Sequence, residues 1–251
     1  MIQKFMEAHS GLSAKLVDQS FYNGIWVSSL THSAILGLPD NELVGLGERL
    51  NLVREIKEQS DKPIIVDADT GGQIELFPYW VKRYDRAGVY ALVIEDKVFP
   101  KQNSLLEKAD HQLERIDKFC EKIRAGKLVA KNIKIIARLE SLIAKRSMNE
   151  ALIRGDAYVK AGADMILIHS KQKVESTEVM EFAVKFRKYH PDIPLVAIPT
   201  TYILPNSHPF NILIYANMML RASLRAMKET IKEIDNSKLA SVEEIFELCG
   251  H

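Results

Sequence analysis

The sequence predicts an α/β fold of the closed (β/α)8 barrel kind. Three observations lead there: eight short, β-rich apolar runs, helix-patterned segments between most of them, and a length of 251 residues that suits one such domain. The runs are KFMEA at 4–8, IWVSS at 25–29, PIIVDAD at 63–69, ALVIED at 91–96, KIIARLE at 134–140, MILIHS at 165–170, PLVAIPT at 194–200 and ILIYAN at 212–217. They are apolar almost throughout, as strands covered on both faces are, and strand alternating with helix implies parallel pairing through right-handed crossovers. An open doubly wound sheet is the alternative. No G-x-G-x-x-G follows any run, however, and eight strands close more economically into a barrel.

The segments 41–60 (with Leu43, Leu46, Leu50, Leu52, Val53 and Ile56), 75–88, 105–125, 148–161 and 176–190 carry helical periodicity. Two helix-to-strand joints nearly repeat, RAGVYALVIED at 86–96 and KAGADMILIHS at 160–170, with Gly88 and Gly162 where a left-handed helix C-cap is expected. After the eighth run come two amphipathic segments, 219–236 and 241–249, more than one barrel helix requires. The whole chain, 1–251, is therefore expected to be one barrel domain, with helical material over 219–251 packing on another subunit.

Lys plus Arg number 34 against 33 for Asp plus Glu, with no long single-sign block, so no nucleic-acid footprint is present and a small-molecule partner is expected. Cys120 and Cys249 lie far apart and in no metal-ligand spacing, which argues against a disulfide framework or structural zinc and suits a reducing cytoplasm. No run approaches the ~20 apolar residues of a membrane span, and no leader pattern opens the chain.

Seven of the eight runs end in polar or ionisable residues: Ser28 and Ser29, Asp67 and Asp69, Glu95 and Asp96, Arg138 and Glu140, His169 and Ser170, Thr200, and Asn217. The carboxyl ends of barrel strands are where such folds build active sites. Asp67, Asp69 and Glu95 are hard oxygen ligands suited to Mg²⁺ or Mn²⁺, although a DADTGG turn alone could equally be a helix cap. Arg138 and His169 supply positive charge opposite them, as a substrate with carboxylate and phosphoryl groups requires, or else serve structure, Arg138 by pairing with Glu140. The loop 95–104 gathers Lys97, Lys101, Asn103 and Ser104 around Pro100; it is either a lid over an anion or a solvated basic turn, and by itself it favours the turn.

At this point the chain resembles the family of phosphoenolpyruvate mutase and phosphonopyruvate hydrolase, within the isocitrate lyase superfamily. The similarity runs over nearly the whole length, through EAHSGLSAKLV at 7–17, GIWVSSL at 24–30, LPDNE at 38–42, DADTGG at 67–72, EDKVFPKQNS at 95–104, IARLESLI at 136–143, AGADMILIHSK at 161–171, IPTTY at 198–202 and YANMMLRAS at 215–223. The E-D-K-x-x-P-K-x-N-S loop is its most specific element. The resemblance implies a barrel whose last helix is exchanged in a homodimer or homotetramer, acting on phosphoenolpyruvate or phosphonopyruvate with Mg²⁺ near Asp67 and with Asp69 and Glu95 alongside. It implies that Trp26 and the N–H groups of Ser29 and Leu30 meet the substrate carboxylate, with Arg138 as its counter-ion and Ser28 among the substrate-binding residues. Lys101, Asn103, Ser104, Arg138 and His169 would meet the phosphoryl group. Asp40, which on pattern alone is a turn residue after Pro39, would receive or shield that group. Met218 departs from a family histidine, and the Gly-Gly of DADTGGQ matches forms fused to nucleotidyltransferases.

Two related activities compete. Hydrolases resemble P-K-x-T-S where this chain has Asn103, which favours the mutase; C–C lyases of the 2-methylisocitrate type carry a catalytic cysteine in this loop, and none stands here. A silent scaffold barrel is disfavoured by the joint presence of Asp40, Asp67, Glu95, Lys101, Asn103, Arg138 and His169.

Overall fold

A computed structural model of the chain describes residues 1–250. Eight parallel strands close into a (β/α)8 (TIM) barrel: β1 Gln3–Glu7, β2 Gly24–Val27, β3 Ile64–Asp67, β4 Ala91–Glu95, β5 Lys134–Leu139, β6 Met165–Ile168, β7 Leu195–Ala197 and β8 Ile212–Tyr215. β8 pairs back onto β1, Phe5 lying opposite Ile214. All eight predicted strands are found.

Alternate residues along each strand point into the barrel and out toward the helices, because side chains on a strand have a period of two. The inward set packs Phe5, Trp26, Ile65, Ala91, Val93, Ile136, Leu167, Val196 and Ile214 together; Ile64, Val66, Leu92, Ile135 and Ile166 pack outward under the helices. Continuing the inward parity by two residues gives Glu7, Ser28, Asp67, Glu95, Arg138 and His169 at the carboxyl mouth. The same alternation that builds the core thus aims the chemistry.

Outside lie α1 Gly11–Asp18, α2 Ser29–Ile35, α3 Leu46–Lys57, α4 Phe77–Arg86, α5 Ile116–Lys127, α6 Met148–Lys160, α7 Thr177–Arg187, α8 Met218–Lys232 and α9 Val242–Cys249. Gly88 and Gly162 close their helices with φ of +73° and +103°, as their places after α4 and α6 predict. Two expectations are corrected. The helix expected over 105–125 begins only at Ile116; residues 101–115 fold instead over the barrel mouth, with Leu105 and Leu106 exposed rather than forming an apolar stripe. The helix expected from 41 begins at Leu46, which leaves Asp40–Val44 as loop.

Glu7 is buried at the end of β1 and accepts hydrogen bonds from the Met219 and Leu220 amides, fixing the start of α8. Beyond that start α8 leaves the barrel: it has no buried residue, and Leu224, Met227 and Ile231 stand exposed along it. Among the described residues no helix is long and apolar enough to cross a membrane, and Cys120 and Cys249 are free thiols.

Candidate active site

The segment 97–115 is held as a lid by a short antiparallel stem, with Lys97 bridging Leu113 and the Val98 amide donating to the Gln112 carbonyl at 3.0 Å. Its base is fastened by Arg154 of α6, which donates to the Glu114 carbonyl at 2.9 Å and to Asp96 at 3.2 Å. Asp96, an outward strand-end residue, therefore braces the lid and does not face the mouth. With the lid down the cavity at the mouth is about 50 Å³ and is lined by Trp26, Ser28, Ser29, Leu30, Asp40, Asp67, Lys101, Asn103, Ser104, Arg138, His169, Thr200 and Asn217, among others.

Asp40 comes from the loop after α2. Its Oδ2 accepts from Lys101 Nζ at 2.7 Å and from Asn103 Nδ2 at 2.6 Å, while its buried Oδ1 has no hydrogen-bond partner. One carboxylate oxygen is thus neutralised by the lid and the other remains open. Burial opposes the charge of Lys101, yet Asp69, Glu95 and Asp40 together raise its pKa above the usual value, so it stays an ammonium. Lys101 also lies 3.0 Å from Asp69 and donates to Ser29 Oγ at 3.2 Å.

On the opposite wall Glu140 is the hub. It accepts from Arg138 Nε at 2.5 Å, from Ser104 Oγ at 2.6 Å and from His169 Nδ1 at 2.7 Å, with Lys97 Nζ 3.0 Å away. Burial alone would raise its pKa, but Arg138, Lys97 and His169 hold the carboxyl well below the usual range. Burial and the neighbouring guanidinium push His169 down to about 4, so the imidazole is neutral at pH 7. Nδ1 also lies 2.8 Å from Arg138 Nη2. It cannot both accept from the guanidinium and donate to the carboxylate. We place the proton on Nδ1, since without it a lone pair would face Glu140 at hydrogen-bond distance.

The three carboxylates expected to bind metal are all buried, but they do not close into a ligand shell. Among the described residues no group of three His, Cys, Asp or Glu side chains is arranged to hold an ion. Asp69 is already paired, through Arg49 Nη1 at 2.6 Å and Lys101; burial would raise its pKa, and these cations bring it down to about 2. Asp67, the member that lines the cavity, accepts from Ser29 Oγ at 3.1 Å and has Arg138 3.7 Å away. Burial, with the charge of Asp69, raises the Asp67 pKa. Glu95 is the informative one: both its oxygens are buried without a hydrogen-bond partner, and burial pushes its carboxyl up to about 7 despite Lys97 and Arg138. The orphaned hard oxygens of Glu95, with Asp67 on the cavity wall, fit a divalent cation next to those two residues, with Asp69 behind.

The structure brings every candidate side chain except Asp69 and Glu95 onto the cavity wall, and those two lie just behind it. Ser28 Oγ accepts from the Thr31 amide, capping α2, and Ser104 Oγ donates to Glu140, so both hydroxyls on the cavity wall are also part of its internal bonding. Trp26 Nε1 and Asn217 Oδ1 are buried without partners and remain available to a ligand. Arg49 and Glu42 were not foreseen. Arg49 left a trace, standing four residues before Val53 and seven before Ile56 on the apolar face of α3, where only a paired charge survives. Glu42 left none, since its partners are 28 and 59 residues away.

The family model for phosphoenolpyruvate phosphomutase matches residues 2–235. The chain is 36% identical to a phosphoenolpyruvate phosphomutase of Tetrahymena pyriformis, the match spanning 98% of this chain and 86% of that protein. It is 38% identical to a phosphonopyruvate hydrolase of Variovorax sp. (strain Pal2), over 98% and 89% of the two chains. Among solved structures, a phosphoenolpyruvate phosphomutase from Streptomyces platensis subsp. rosaceus superimposes with a TM-score of 0.92 at 33% identity, over 100% of this chain and 91% of that one. A phosphonopyruvate hydrolase in complex with oxalate and Mg²⁺ gives 0.88 at 35% identity, over 99% and 90%. Barrel, mouth chemistry and matched length agree: this chain belongs to the phosphoenolpyruvate phosphomutase family.

Proposed function

We propose that the chain is a Mg²⁺-dependent mutase interconverting phosphoenolpyruvate and phosphonopyruvate. The observation that carries this reading is Asp40, with one oxygen bound by Lys101 and Asn103 and the other buried and open. The substrate carboxylate lies against Trp26 Nε1 and the N–H groups of Ser29 and Leu30, which as the first residues of α2 have no intrahelical acceptor. Arg138, on the same cavity wall, is the counter-ion of that carboxylate and also reaches the phosphoryl group. The C–P bond of phosphonopyruvate breaks with its electron pair passing into the pyruvate enolate, and phosphorus bonds to Asp40 Oδ1. The enolate oxygen then attacks phosphorus, and Asp40 recovers its pair. Lys101 and Asn103 hold the carboxylate in place throughout, Arg138 offsets the enolate charge, and the lid excludes water. A Mg²⁺ or Mn²⁺ ion held by Asp67 and Glu95, with Asp69 alongside, would add Lewis-acid stabilisation of that enolate.

The hydrolase is the second reading, favoured by the Variovorax relative. Asn103 supports the mutase over it: its side-chain NH₂ donates to Asp40 Oδ2 and its carbonyl accepts from the Leu105 amide, so it ties the lid to the carboxylate whose other oxygen would receive phosphorus. A lyase is disfavoured because Cys120 lies in α5 and Cys249 in α9. The exposed apolar stripe of α8 supports a homodimer or homotetramer in which 219–251 packs on a neighbour. Free thiols suit a cytoplasmic enzyme.

The test is ³¹P NMR of the protein with phosphonopyruvate and Mg²⁺, with and without EDTA. The expected result is a phosphoenolpyruvate resonance that EDTA abolishes and that Asp40→Asn lowers by at least about 10³-fold. Orthophosphate as the main product would establish the hydrolase, and an unchanged spectrum would refute both.

A further inference from the structure

Glu42 stands two residues beyond Asp40 and has no role in the chemistry proposed above. Its φ is +63°, a left-handed backbone that a non-glycine residue adopts only where its surroundings impose it. The half-buried carboxylate joins three segments. Its Oε1 accepts from the Thr70 amide at 3.1 Å and from Thr70 Oγ1 at 2.8 Å, within the loop that carries Asp67 and Asp69. Its Oε2 accepts from the Lys101 backbone amide at 2.7 Å, in the lid. The far side of the same 67–72 loop is gripped by buried Lys122 of α5, whose Nζ donates to the Thr70 and Gly72 carbonyls at 2.8 and 2.7 Å. Thr70 is therefore fixed from both sides, and Glu42 passes that fixity to the lid.

We propose that Glu42 is a positioning residue, the latch that holds the lid shut by accepting the Lys101 amide and so delivers Lys101 Nζ and Asn103 to Asp40. The inference rests on the phosphoryl-transfer reading for its catalytic consequence, but the latch is a physical claim that stands or falls without it. A lid released in mid-reaction admits water to the phosphoryl group. Loss of the latch therefore diverts product toward orthophosphate rather than merely slowing turnover.

Glu42→Gln is the test, because a glutamine that still accepts from Thr70 turns its NH₂ toward the Lys101 N–H, donor against donor. Trypsin cleavage within 97–115, which offers Lys97, Lys101, Lys108 and Arg115, is measured with Mg²⁺ and oxalate present. The expected result is at least about tenfold faster cleavage with an unchanged melting midpoint, and a larger orthophosphate share in the ³¹P assay. Cleavage at the parent rate in a folded Glu42→Gln protein would overturn the latch. Should that variant not fold, hydrogen exchange on the parent decides: a Lys101 amide much slower than those of 105–110 supports the latch, and an equally fast one refutes it. A released lid in a chain that transfers no phosphoryl group would sink the mutase while leaving the latch in place.

Discussion

At the scale of the residue, the site is a set of buried charges that answer one another across the barrel mouth. Arg138 donates to Glu140 at 2.5 Å before any ligand arrives, so its Nη groups are aimed by a neighbour just past the end of its own strand. Asn103→Thr removes the amide that ties the lid to Asp40 and should raise the ratio of phosphate to isomer several-fold, read by ³¹P NMR; an unchanged ratio would remove this residue from the choice between mutase and hydrolase. Glu95 makes a pH prediction. Its carboxyl rises from an ordinary value near 4.5 to about 7 on folding, so the folded, metal-free protein holds a proton that the unfolded chain has released. Its contribution to stability is therefore present below about pH 4.5 and is lost as pH rises to about 7. Melting midpoints with EDTA and with Mg²⁺ should diverge across that window, the Mg²⁺ gain being largest at its upper end. A Mg²⁺ gain independent of pH would mean that Glu95 is not beside the ion.

Elements place these residues with little freedom. Strand parity aims Asp67, Glu95, Arg138 and His169 inward, so a one-residue slip in register would send all four to the helix side. The loops are fixed one hydrogen bond at a time, and Lys122 is the clearest case: it is buried in α5, its ammonium bonds the two loop carbonyls, and burial lowers its pKa although Glu42, Glu114 and Glu75 pull it upward. Lys122→Met should cost about 1–3 kcal/mol in urea unfolding, the penalty of leaving two loop carbonyls unanswered. It should also weaken Mg²⁺ binding measured by calorimetry. A full loss of stability with Mg²⁺ affinity unchanged would confine Lys122 to the fold.

For the whole molecule, the barrel closes within one chain, and the C-terminal segment carries the apolar surface left over. Leu224, Met227, Ile231, Ile234, Val242 and Ile245 are all exposed, more apolar side chains than a monomer usually presents to water over so short a stretch. Met227→Glu with Ile231→Glu should shift the sedimentation coefficient to that of a monomer while leaving the far-ultraviolet circular dichroism of the barrel intact. An unchanged sedimentation profile would place the interface elsewhere, or show that the chain is monomeric from the start.

The sequence by itself determined the architecture, because buried parallel strands are apolar runs whatever they pack against, and their polar ends announced the mouth. It also located Asp67, Arg138 and His169, since strand parity is a local rule. Asp40 was legible only through resemblance; the loop 95–104 offered a lid as the lesser of two readings, and the lid's extent to 115 was misread as helix. Tertiary structure alone decided the rest: that Asp69 is spent on Arg49 and Lys101, that Ser104 serves Glu140, and that Glu42 joins three loops. These are contacts between residues 20 to 60 apart, formed when separate loops converge over the barrel end, and no local pattern of propensity or periodicity records which donor will meet which acceptor there.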